Sequence, residues 1–221
     1  MPLLIPPLIP LPILYSLRNC PYAMRARIGI HKAQLQIDLR EVNLKQKPAE
    51  MLAVSPKGTV PVLVLDNEPE SPTVIDESLD VMLWALTKSD PDNLLSQFDN
   101  SVLPKMLVLI RLFDDEFKTG LNAYKAAKRY CEDNVTECRL ACEVFIQELE
   151  NRLMQSAFLM SEQESLADIA LVPFIRQFAK VERQWYLQAP YPKVRQWLNY
   201  YLQSTMFTKV MAKHELWKKS S

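Results

Sequence analysis

Of the four cysteines in this chain of 221 residues, Cys20 stands where sulfur chemistry is most easily supported. It follows the apolar run 11–16, which suits a strand, and directly precedes Pro21, where helical spacing begins and continues to residue 33. Proline at the first helical position loses nothing, because that amide has no intrahelical partner, and it leaves the Tyr22 and Ala23 amides directed at the sulfur. Amides and helix dipole both favour a thiolate, and such placement lowers a cysteine pKa from its free value of about 8.5. Arg18, Arg25 and Arg27 add positive charge, with Arg18 alone a close neighbour in sequence. The residues by themselves leave two roles open for Cys20, an activated nucleophile and an inert buried thiol.

The other chemistry-bearing residues do not assemble by spacing. Cys138 and Cys142 are four apart and can share a helix face, yet no second ligand pair lies at a zinc-like distance, so no metal is expected. A domain of this length needs no disulfide framework, and Cys131, Cys138 and Cys142 are expected to pack in or beside a helix. His31 and His214 lack triad partners in the sequence. Asp114, Asp115, Glu116 and Lys118 form a charge cluster that either lines an opening between domains or faces solvent. Twenty-six basic residues balance twenty-six acidic ones, nine and ten of them in residues 1–90, which removes the positive field expected of a nucleic-acid binder. A small, locally recognised partner fits better than a polyanion.

Elements must hold Cys20 in place. Apolar residues make up 48% and charged residues 24%, as in ordinary globular chains. The opening MPLLIPPLIPLP carries five prolines and no basic side chain, a poor signal peptide; it reads as a Pro-rich arm over 1–10. No stretch approaches a charge-free spanning length, so a cytoplasmic protein with no membrane contact is expected. Strands are expected at 11–16, 36–42, 60–65 and 73–75, with a turn at Asp66-Asn67, and helices at 21–33, 48–54 and 77–86. That order, βαβ, helix, ββ, α, predicts a small mixed sheet flanked by helices over 11–88. Residues 89–95 read as a linker. Beyond it only helices are expected, at 102–117, 123–153, 166–181 and 194–204, within an all-helical domain 96–221. Ser165 with Asp168 reads as a helix start, the hydroxyl capping free amides and the acid sitting in the first turn.

Residues 15–23 (YSLRNCPYA) resemble the active-site segment of glutaredoxins and of cysteine-type glutathione transferases, particularly the omega class and related bacterial proteins. Ala23 stands where the glutaredoxin C-P-Y pattern has its second cysteine, so a mixed disulfide with glutathione is what the resemblance implies. Residues 58–62 (GTVPV) resemble the loop in which Pro61 is cis and the Val60 backbone pairs with the cysteinyl part of glutathione. Glu77 and Ser78 resemble the pair that binds the γ-glutamyl end, and Lys47, or Lys45 by a small register change, matches the ammonium near the tripeptide carboxylate. Residues 165–173 resemble the capping helix of the transferase helical domain, where Ser165 and Asp168 have a structural role. Trp185, Tyr186, Pro190, Tyr191, Pro192 and Trp197 resemble the late helical region of bacterial relatives. Lys57 departs from the aromatic residue common beside Gly58 in the omega class.

The resemblance implies a thioredoxin-like N-terminal domain followed by a helical glutathione-transferase domain, and a homodimer. The implied activity is thiol exchange or deglutathionylation through Cys20, with glutathione as co-substrate and a small-molecule or protein thiol adduct as partner. Conjugation of glutathione to an electrophile and non-catalytic glutathione binding are the rival functions. Tyr22, Tyr124 and Trp185 are candidate walls of a second-substrate pocket. Tyr15, at a strand end, is expected to pack rather than to activate a thiol.

Overall fold

Every residue of the first apolar run that forms β1 (Ile13–Ser16) is buried, because this strand is paired on both sides. It lies parallel to β2 (Asp38–Glu41) and antiparallel to β3 (Val62–Val64), and β4 (Val74–Ile75) adds antiparallel to β3. The sheet order is therefore β2-β1-β3-β4. Alternation along β1 sends Leu14 into a core with Met24, Ile28 and Met82, and sends Ile13 and Tyr15 into a smaller one with Met51, Val60 and Val62. The computed structural model describes residues 11–65 and 72–218. The expected arm over 1–10 and the Asp66-Asn67 turn lie outside the described residues.

Two helices cover the Leu14 face, α1 (Pro21–Lys32) and α3 (Ser78–Lys88), while the short α2 (Ala49–Val54) buries Met51 on the other. The close approach of α1 and α3 depends on Gly29: a Cβ there would stand 2.9 Å from the Met82 Cα and 2.8 Å from its Cγ. Observed strands are shorter than expected. β3 begins at Val62, since Pro61 has no N–H to give the ladder.

Helices follow from residue 102: α4 (Val102–Leu112), a π-helical segment Phe113–Phe117, α5 (Lys118–Tyr130), α6 (Val135–Gln155), α7 (Leu166–Val181), α8 (Arg183–Gln188), α9 (Pro192–Leu202) and α10 (Thr205–Val210). Two expectations are corrected. Helical structure runs without a gap from 102 to 130, and the single helix expected over 123–153 is broken at Cys131, which takes φ +56° and ends α5. The 89–95 segment is tied down, with the Asp90 carboxylate accepting from the Leu94 and Leu95 amides at 2.8 and 2.9 Å. Leu94 in turn accepts from the Leu166 amide at 2.9 Å.

Twelve of the sixteen α7 residues are buried, so polar groups at its start must be satisfied internally. Asp168 does this by accepting from the Ser165 amide (3.0 Å), Leu159 amide (2.9 Å) and Trp197 indole (2.9 Å). The Ser165 hydroxyl donates to the same carboxylate at 2.6 Å. Past α10 no helix forms among the described residues 211–218: Leu216 bridges Glu41 in parallel and the Trp217 amide donates to the Glu41 carbonyl at 2.8 Å, so these residues return to the edge strand β2. Among the described residues no helix is long and apolar enough to cross a membrane.

Candidate active site

Cys20 is the N-cap of α1, with extended backbone (φ −78°, ψ 124°) and its carbonyl accepting the Met24 amide at 2.9 Å. Its own amide donates to the Leu17 carbonyl at 3.0 Å, which closes the turn out of β1 and leaves the sulfur half-exposed at the positive end of a twelve-residue helix. Across from it, 3.8 Å from Sγ, stands the Val60 carbonyl. The Val60–Pro61 peptide bond is cis. Gly58 turns the chain into this loop at φ +62°, a conformation that favours glycine, and a Cβ there would meet the Lys47 Nζ at 2.9 Å. Ala23, one turn from Cys20, is wholly buried and offers no second thiol.

A cavity of about 450 Å³ runs from Cys20 past Val60 and Pro61 to Glu77 and Ser78. Ser78, the first residue of α3 and only 3% exposed, lines the cavity beside Glu77, which brings the start of this helix to it. Glu77 is exposed and forms a short ion pair with Lys57, which holds the Lys57 ammonium above its usual pKa. Lys47 and Lys45 are both exposed: the Lys47 ammonium stands beside Gly58 without lining the cavity, and the Lys45 amide donates to the Asn43 side chain at 2.9 Å on a turn. Among the described residues no group of three or more His, Cys, Asp and Glu is placed to hold a metal ion.

Residues 14–93 match the family of glutathione S-transferase N-terminal domains, and residues 137–199 match that of glutathione S-transferase C-terminal domains. The chain belongs to the glutathione S-transferase superfamily. Pyrimidodiazepine synthase of Drosophila melanogaster is 27% identical over 190 residues, covering 84% of this chain and 74% of that protein. Maleylacetoacetate isomerase of Aspergillus fumigatus is 27% identical over 184 residues, 77% of this chain and 80% of that one. A glutathione transferase family member from Pseudomonas fluorescens, solved with two glutathione molecules bound, superposes with a TM-score of 0.79 at 19% identity, over 94% of this chain and 95% of that one. The protein is a glutathione transferase-like enzyme with a thioredoxin-like domain followed by a helical one.

In this transferase the second half contributes to the cavity through Lys118 rather than through Tyr124 or Trp185. Tyr124 is wholly buried: α5 turns Leu121, Tyr124 and Ala127 inward on one face, and the phenol donates to Glu182 at 2.8 Å. Trp185 packs on Phe178 and under Arg139, 4.4 Å from ring to guanidinium, within the same Glu182 cluster. Neither touches the cavity. Tyr22 does line it, with its ring edge-on to Phe174 at 5.3 Å. Lys118, one of the charged residues expected either to line an opening between domains or to face solvent, also lines it, its ammonium 4.6 Å from the Tyr22 ring.

Two of the arginines near Cys20 in sequence are committed elsewhere. Arg25, 1% exposed, crosses between the halves to grip Asp114 with both terminal nitrogens at 2.8 and 2.7 Å, and donates Nε–H to the Ala170 carbonyl at 3.0 Å. Arg27 pairs with Glu41 and donates to the Ser16 hydroxyl at 2.7 Å. Glu41 also accepts the Arg18 amide at 2.6 Å, pinning the loop before Cys20. Arg25 and Arg27 are therefore engaged with carboxylates rather than with the sulfur. Tyr15 is a core residue, its hydroxyl accepting from Arg40 at 3.1 Å.

Proposed function

We propose that this transferase moves glutathionyl groups through Cys20, as a thioltransferase or deglutathionylating reductase of the omega-like or related bacterial cysteine type. The observation that carries the reading is the Cys20 sulfur at a helix N-terminus, facing Val60 at one end of a cavity, with alanine at residue 23. A glutathionylated thiol lies with its tripeptide along the cavity. The Val60 backbone takes the cysteinyl part, Glu77 and Ser78 the γ-glutamyl end, and Lys47 the carboxylate beside the Gly58 loop. Glu77 is then shared between Lys57 and the incoming ammonium.

Cys20 thiolate attacks the glutathionyl sulfur; a Cys20–glutathione disulfide forms, the original S–S bond breaks, and the other thiol leaves as its thiolate. A second glutathione thiolate attacks that disulfide, releasing oxidised glutathione and restoring Cys20. The segment itself offers no second thiol to resolve the disulfide, because residue 23 is alanine. The family resemblance also supports a homodimer in the cytoplasm. In Cys20→Ser, exchange with a glutathionylated substrate is expected to disappear while glutathione affinity persists; full retention of exchange would contradict the assignment.

A further inference from the structure

A second, smaller cleft of about 170 Å³ shares Cys20, Tyr22 and Lys118 with the main cavity and extends away from Val60, towards the helical half. In the exchange reading of this site the tripeptide occupies the first cavity and the departing thiol is left this one. Resting on that reading, we infer that the second cleft selects an anionic, carboxylate-bearing leaving thiol, with Lys118 and Lys125 as its specificity residues.

The cleft's chemistry comes from two helix faces. Lys118, Asn122 and Lys125 recur at about one turn along α5, and Phe174 and Gln177 do so along α7, so one wall is cationic and amide-bearing while the opposite wall is aromatic. Among the described residues no carboxylate lines it. Asp114 is 3.5 Å from the Lys118 ammonium but already holds Arg25 through both oxygens, so it fixes Lys118 without neutralising it. Lys125 has a neutral contact, the Asn122 side-chain oxygen at 3.4 Å. The rings of Tyr22 and Phe174 support the Lys118 ammonium at 4.6 and 5.5 Å and offer apolar surface to a short carbon chain. One water needs about 10–15 Å³ of such cavity space, and the cleft offers about 170 Å³. That is room for a short carboxylate chain, or for the carboxylate end of a larger thiol.

The test uses glutathione thioethers, which occupy both clefts and cannot exchange, so charge is read separately from sulfur chemistry. S-(2-carboxyethyl)-, S-(2-hydroxyethyl)- and S-(2-aminoethyl)glutathione are titrated calorimetrically into the wild-type protein at low and high salt. The carboxyethyl compound is expected to bind about tenfold tighter than the aminoethyl one at low salt, the sum of a weak attraction and a weak repulsion at partly exposed lysines. The ratio narrows with salt, falls to about threefold in Lys125→Gln and inverts in Lys125→Glu. Equal affinity for all three overturns the inference and leaves the exchange reading standing. A preference untouched by either Lys125 substitution overturns the residue assignment, and failure of all three to bind removes the glutathione site and the inference together.

Discussion

Replacing Asp114 by alanine strands the Arg25 guanidinium in the interior between the two halves. The wild-type group is 1% exposed, held by two carboxylate bonds and one carbonyl bond, and lies 4.4 Å from the centre of the Phe174 ring. Removing one partner of a buried ion pair costs about 3–5 kcal/mol, and because the Asp114 side chain keeps 18% of its exposure, water reaches the vacated site and the lower end applies. About 3 kcal/mol corresponds to a fall in Tm of roughly 6–12 °C for a chain of this size. Thermal melts followed by far-UV circular dichroism and by tryptophan fluorescence measure it in both halves. The double variant Arg25→Met with Asp114→Ala is expected to recover most of the loss, giving a coupling of at least about 2 kcal/mol. A loss below about 1 kcal/mol in Asp114→Ala, or simple additivity in the double variant, would refute the reasoning that this pair is a desolvated joint.

Gly29→Ala gains up to about 1 kcal/mol in helix propensity but drives a Cβ to 2.9 Å from the Met82 backbone, and overpacking costs about 1–3 kcal/mol, so a net loss near 1 kcal/mol is expected in urea titration. In the native protein at mildly alkaline pH, iodoacetamide should label Cys20 and the exposed Cys131 but spare Cys142, whose thiol burial pushes up to about 12; peptide mapping reads the sites. His31 should titrate below 6.5 by NMR, because burial and then the Lys209 and Lys32 charges disfavour its protonated form, and Lys209→Ala should raise its midpoint. The contribution of neutral His31 to stability is therefore complete above pH 6.5 and is lost as pH falls through its depressed value.

Local signals carry the first half of the molecule. An apolar run ending at Ser16, a cysteine and a proline at the start of helical spacing are enough to place Cys20 at the N-cap of α1, and short apolar, β-branched or alternating runs find the strands around it. The second half resists because its decisive contacts are long-range. Nothing in the neighbourhood of Asp114 announces a partner 89 residues away, so the segment 114–118 reads as a charge cluster and leaves open whether Lys118 lines an opening or faces solvent. Residue type suggests Tyr124 as a pocket wall, although its spacing with Leu121 and Ala127 is that of a core stripe. Cys131 interrupts a continuous helical pattern in a left-handed conformation with no glycine to signal it. The return of Trp217 to β2, edge-on to Tyr15 at 6.1 Å, is a tertiary pairing without local trace.

The nucleophile is tested most directly by intact mass spectrometry after incubation with oxidised glutathione, with peptide mapping to separate Cys20 from exposed Cys131. Wild-type protein should gain one glutathionyl group at Cys20, with one glutathione thiolate released, and Cys20→Ala should gain none in that segment. An adduct confined to Cys131, identical in both proteins, would contradict the assignment of Cys20 as the exchanging thiol.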